Sequence, residues 1–214
     1  MFSVIFDMDG TLLDTQSISI PAWDYVGGQQ GVKNMGKCIS SVCGMNEDGW
    51  TNFIITNFPT IDIDLFKKGI RDYLAENLVI KFKKGGLEIL KFLKQNNVKI
   101  GLASGSSRST VEYNLNEVGV LNFFDAIVCG SEVENGKPAP DIFLKTAELL
   151  GEKPENCFVF EDSENGIKSG LGARMKCIGI PDVAPFPEKT KKLMFACLDD
   201  LAQAIPILEG ELKK

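Results

Sequence analysis

Apolar positions along this chain fall into two rhythms. Short continuous runs rich in β-branched residues occupy 2–6, 98–103, 126–129, 157–160 and 176–180, and each ends in a turn or polar residue. Runs of that length and composition predict buried strands. Between them, 86–95 (with Leu87, Leu90, Phe92 and Leu93), 109–118, 141–150 and 163–172 carry apolar residues at helical spacing, so helices are predicted there. Continuous apolar strands alternating with helices predict an α/β fold: a Rossmann-like parallel sheet with helices on both faces and right-handed crossovers.

Residues 15–81 break the rhythm. They contain no comparable strand, only mixed apolar and polar stretches holding Trp23, Tyr25, Trp50, Phe53, Phe58 and Phe66. The segment reads as a mainly helical insertion, with Gly27-Gly28, Gly31, Gly36 and Gly44 at its turns and Gly85-Gly86 at the return. The expected organisation is a core of 1–14 and 82–214 and a small helical domain of 15–81. In the tail, Pro181, Pro185 and Pro187 signal turns, and a short helix is expected over 199–205.

With 214 residues, 44% hydrophobic and 24% charged, the chain can bury a sizeable core and lies far from the disordered range. A formal net charge of -6 argues against a general nucleic-acid surface, which needs a concentrated positive face. The short basic cluster Lys81, Lys83 and Lys84 reads as a solvated stretch before a helix. Six cysteines without a CxxC pair suit reduced core thiols in a cytoplasmic protein. No stretch reaches the ~20 apolar residues of a membrane helix, the N-terminus does not read as a signal peptide, and nothing demands more than a monomer. The absence of histidine removes Ser-His-Asp and Cys-His catalysis and histidine-based zinc sites. Catalysis must rest on carboxylates, hydroxyls and amines, with or without a metal.

In a parallel sheet, ligands bind where strands end. The first strand runs into Asp7-Met8-Asp9-Gly10-Thr11-Leu12-Leu13-Asp14, the second into Ser104-Gly105-Ser106, and the fourth into Glu161-Asp162; Lys137 lies beyond the third, in Gly136-Lys137-Pro138. Singly, these are turn residues, a loop serine, a surface lysine and helix caps. Together they supply what a phosphoryl group requires. A carboxylate ~4 Å from another unit negative charge is repelled by roughly 4 kcal/mol at an effective dielectric near 20, so cations must cancel the charge. Lys137 supplies one. Asp7, Glu161 and Asp162 supply hard oxygen ligands that suit Mg²⁺. The Ser104 hydroxyl and backbone amides of the Ser104-Gly105 turn can hold phosphate oxygens, and a carboxylate can serve as the nucleophile.

Asp7-x-Asp9-Gly10-Thr11-Leu12-x-Asp14, Ser104, Lys137-Pro138 and Glu161-Asp162-Ser163 resemble the four motifs of the haloacid dehalogenase superfamily, across the whole chain. The run Gly136-Lys137-Pro138-Ala139-Pro140-Asp141 resembles its phosphatase and β-phosphoglucomutase branch, whose helical cap follows the first motif; 15–81 has the right place and size for that cap. The resemblance implies Asp7 as nucleophile and metal ligand, and Asp9 as general acid, then base, lending its carbonyl to the metal. Asp162 and Glu161 would complete the ligands, and Ser104 and Lys137 would bind the transferring group.

Asp9 and the Glu161-Asp162 pair speak against a dehalogenase. Against a mutase, this chain has Asp14-Thr15-Gln16-Ser17-Ile18-Ser19 where that enzyme carries a histidine, and Gly44-Met45-Asn46-Glu47 where it carries an arginine. The expectation is a Mg²⁺-dependent phosphatase for a small phosphorylated metabolite such as a sugar phosphate. The alternatives are a phosphosugar mutase and an inactive binding module. A Walker-type NTPase is excluded because Gly136-Lys137 lacks the required glycine spacing. Met45, Asn46, Glu47 and Trp23 are candidates to face the substrate, with core packing favoured for Trp23, and Arg108 is a candidate contact for a distal anion.

Overall fold

The computed structural model describes residues 2–213. Six parallel strands, β1 (Ser3–Phe6), β2 (Ile100–Ser104), β3 (Ala126–Cys129), β4 (Cys157–Glu161), β5 (Lys176–Gly179) and β6 (Ala196–Cys197), form one sheet in the order β3-β2-β1-β4-β5-β6. The order reverses between β1 and β4, which is where a crevice opens beyond the carboxyl ends of the strands. Phe6 pairs with Leu102 on one side and with Phe160 on the other. The residues after these strands are thereby held level along one edge.

Among the described residues ten α-helices accompany the sheet: α1 (Ser19–Gln29), α2 (Ile39–Val42), α3 (Glu47–Asn57), α4 (Ile63–Asn77), α5 (Gly86–Gln95), α6 (Arg108–Glu117), α7 (Asp141–Leu150), α8 (Glu164–Gly172), α9 (Glu188–Lys191) and α10 (Ile205–Leu212). Because side chains alternate across a strand, Val4 and Phe6 join Ile100, Leu102, Phe158 and Phe160 under α5, α6 and α10. Ile5 joins Ala103, Cys157 and Val159 under α7 and α8. Both faces are covered, as the pattern predicts.

Helices α1 to α4 carry no strand between them and enclose a third cluster built on Trp23, Val26, Met35, Ile54 and Phe66. Trp23 meets Phe66 edge to face at 5.4 Å, so core packing does occupy this residue.

Gly27 and Gly28, expected at a turn, lie inside α1, and three further expectations change. The sheet has a sixth strand, β6, whose two residues are too few to leave an apolar run in the sequence. The expected helix over 199–205 is instead a tight 3-10 turn at Leu201–Ala204 followed by α10, which extends to Leu212 with Pro206 in its first turn, a position where proline's missing N–H costs nothing. The basic cluster is paired with acids from the far end of the chain: Lys83 with Asp182 at 2.6 Å and Lys84 with Asp200 at 2.7 Å. Such partners, about a hundred residues away, leave no local trace.

Candidate active site

Asp7 follows β1 directly, and its N–H donates to the Phe160 carbonyl at 2.9 Å. That bond carries the β1–β4 ladder one residue past the strand and sets Asp7 beside Glu161. Lys137, buried, reaches across from the loop after β3. Its ammonium donates to Asp7 Oδ1 and Glu161 Oε1, both at 2.5 Å, and to the Ala103 carbonyl at 3.1 Å. All three donor sites of the ammonium are thus used.

The other oxygen of Glu161 accepts from the Ser163 N–H and hydroxyl, both at 2.9 Å. The carboxylate lies so close to Gly166 that a Cβ there would overlap it. Ser163 in turn caps α8 by accepting from the Gly166 N–H at 3.0 Å. Asp162 takes a hydrogen bond from Thr11 on Oδ1 at 3.0 Å. One oxygen each of Asp7, Glu161 and Asp162 fall within 4.8 Å of one another, all buried.

Burial pushes the Asp7 carboxyl up to about 8; Lys137 opposes that shift, while Glu161 and Asp9 add to it. Asp162 is likewise held well above the usual carboxylate range by burial, then by Glu161 and Asp7. Burial pulls the Lys137 ammonium down, but Asp7 and Glu161 outweigh it and keep it charged. One ammonium against three buried carboxylates leaves a surplus of negative charge. A hard divalent cation on these oxygens fits the donor set and removes the surplus.

Asp9 is surrounded by hydroxyls. Thr15 donates to Oδ1 at 2.6 Å, and Ser106 and Ser104 donate to Oδ2 at 2.8 and 3.3 Å. The Asp9 carbonyl accepts from Gln16 Nε2 at 2.7 Å and retains a second lone pair. Gln16 also accepts from the Cys43 thiol at 2.9 Å. Thr15, Gln16 and Ser106 are therefore part of the site although none was singled out for it. Their signal in the sequence was only adjacency to the two motifs.

A cavity of about 280 Å³ opens above Asp7 and Asp9, between Gly105, Ser106, Thr110 and Asn114 on the sheet side and the helical insertion on the other, where Trp23, Val42, Met45 and Trp50 face it. Three proposed substrate residues lie outside this lining. Asn46 caps α3, accepting from the Gly49 N–H at 3.0 Å, and its side chain fills the space over Gly130 and Gly136. Glu47 pairs with Lys67 at 2.9 Å on the outer side of the insertion. Arg108 turns to Glu132 and the Ile127 carbonyl. Arg108 is a candidate through its place after the Ser104 turn, and Asn46 and Glu47 through their place in the insertion, and in the structure each engages another partner.

These elements define a class. A model of the haloacid dehalogenase-like hydrolases matches residues 4–180, and the chain belongs to that family. Among its relatives, the phosphorylated carbohydrates phosphatase of Thermotoga maritima is 30% identical over 181 residues, covering 83% of this chain and 84% of that protein. The β-phosphoglucomutase of Bacillus subtilis is 32% identical over 197 residues, covering 86% and 85%. The solved β-phosphoglucomutase of Clostridium difficile superposes with a TM-score of 0.79 over 100% of this chain and 97% of that one at 24% identity, a likeness of fold.

Proposed function

We infer that the protein is a Mg²⁺-dependent phosphatase that hydrolyses a small phosphorylated metabolite, such as a sugar phosphate, through an aspartyl-phosphate on Asp7. The observation that carries this reading is the buried cluster of Asp7, Lys137, Glu161 and Asp162, whose Asp7 lines the cavity beside a second carboxyl, Asp9. Asp7 and Asp162 would hold the metal with the Asp9 carbonyl, and when bound it supplies charge neutralisation and a Lewis acid for the phosphoryl oxygens. Glu161 orients Lys137 and Ser163, and its Oε1, which accepts only from Lys137, keeps a lone pair for the metal.

In the first step an Asp7 oxygen forms a bond to phosphorus as the bond to the leaving oxygen breaks. Asp9 gives its proton to that oxygen. In the second, water attacks the phosphorus of the aspartyl-phosphate, Asp9 takes a proton from the water, and the Asp7 carboxylate is released with inorganic phosphate. Lys137 offsets the charge on the reacting group. The Ser104 hydroxyl, on Asp9 in the free site, turns to a phosphate oxygen together with the Gly105 amide.

Residues 15–81 are assigned as a cap over the core of 1–14 and 82–214. The cap supplies the apolar wall of the leaving-group pocket, and its linkers, near 14–17 and 79–85, allow it to open and close. Among the described residues, the cavity lining contains no lysine or arginine. A second phosphate would enter that space without a counter-charge, which favours hydrolysis of a monoester over a mutase cycle.

The test is inorganic phosphate release from sugar phosphates, nucleotides and an aryl phosphate, with Mg²⁺ or EDTA, for the wild type and Asp7→Asn. Release that needs Mg²⁺ and disappears in Asp7→Asn is expected. Silence of the wild type together with isomerisation of β-glucose 1-phosphate would establish the mutase instead, and silence in both assays would leave a binding module.

A further inference from the structure

The Asp182 carboxylate, in the loop after β5, is only half used. Its Oδ1 accepts from Lys83 at 2.6 Å, whereas Oδ2 is buried and finds no hydrogen-bond partner among the described residues. A buried carboxylate oxygen without a donor is costly and calls for a partner. Its direction suggests which. Oδ2 of Asp182 lies 2.9 Å, and Oδ2 of Asp162 lies 2.7 Å, from the point that a Cβ on Gly10 would occupy. Gly10 has a φ of +83°, a conformation that glycine adopts without strain, and its lack of a side chain leaves these two oxygens around one small space, with the amide carbon of Gln16 on its third side at 2.9 Å.

Two carboxylate oxygens converging without a donor between them repel. A hydrated divalent cation resolves the arrangement, because Asp162 can bind the ion directly while one of its waters donates to Asp182. In the sequence Asp182 lies in the stretch that Pro181 and Pro185 mark as turns. Lys83 ties this acid to the return from the insertion, where the Lys83 N–H also donates to the Leu12 carbonyl at 2.9 Å.

We propose that Asp182 is a positioning residue for the metal, holding a water of the bound Mg²⁺ through Oδ2. This rests on the reading that the Asp7–Asp162 cluster takes Mg²⁺. Residues that hold a ligand or water of a metal typically change its affinity by about 10–100-fold when replaced. In Asp182→Asn the amide oxygen stays on Lys83 and an NH₂ donor points at the metal water, so donor faces donor.

Calorimetric titration of the whole protein with Mg²⁺ alone tests this, with melting in EDTA measured alongside. Asp182→Asn and Asp182→Ala are expected to weaken the Mg²⁺ Kd by about tenfold or more while melting in EDTA no lower than Lys83→Met, and Lys83→Met is expected to keep the wild-type Kd. Unchanged Mg²⁺ affinity in both Asp182 variants would overturn the proposal, as would an equal loss in Lys83→Met, which would mean that Asp182 acts only as an anchor for the lysine. If the wild type itself takes up no Mg²⁺, the underlying metal reading falls as well, and the two failures are told apart by that control.

Discussion

Lys137 shows how much of the site depends on one side chain. Among the described residues it is the single ammonium on the buried carboxylates of Asp7 and Glu161 beside Asp162, and removing one partner from a buried ion pair leaves charge with neither water nor counterion. Lys137→Met is therefore expected to lower unfolding stability by about 3–5 kcal/mol, measured by urea denaturation in EDTA, in addition to abolishing turnover. A stability equal to wild type would mean that the carboxylates protonate without penalty and that the lysine is not their structural partner. Asp7, Asp9 and Asp162 were legible from sequence because they lie at or just past the end of a strand, and Lys137 because it is the cation in the Gly136-Lys137-Pro138 turn beyond β3. Thr15, Gln16, Ser106 and Asp182 were not, because a hydroxyl, an amide or an acid in a loop has no pattern until a distant neighbour gives it one.

At the level of elements, the segment joining α2 to α3 decides where the insertion meets the sheet. Asn46 begins α3 and at the same time packs over Gly130 and Gly136, and the Met45 carbonyl lies 2.8 Å from the point that a Cβ on Gly105 would take. Asn46→Ala should lose about 1 kcal/mol through the missing cap with an unchanged KM for the best phosphate ester. A raised KM at intact stability would return Asn46 to the substrate pocket. The strands and the sheet-covering helices were readable because apolar runs and 3.6-residue spacing record burial directly. The insertion reads as mainly helical but its sequence does not bound the individual helices: α1 and α3 are amphipathic only weakly, their apolar residues being shared between the third core cluster and the cavity wall.

For the whole molecule, the surplus negative charge at the strand ends couples metal binding to folding. If the cluster takes Mg²⁺ as proposed, the ion at about 100 times its Kd is expected to stabilise the folded chain by about 2.7 kcal/mol relative to EDTA, which for a chain of this length corresponds to roughly 5–10 °C in Tm. Identical melting curves with and without Mg²⁺ would remove the site from the cluster. Among the described residues no helix is long and apolar enough to cross a membrane. The sequence alone determined the alternation of strand and helix, hence the parallel sheet, and it determined which strand ends carry carboxylate, hydroxyl and ammonium groups, because burial and strand ends leave local signatures. Only the tertiary structure decided that Glu161 serves Lys137, that Arg108 and Glu47 face other partners, and that Asp182 turns a bare oxygen toward Asp162. Those outcomes depend on distances between residues far apart in the chain, which no local pattern encodes.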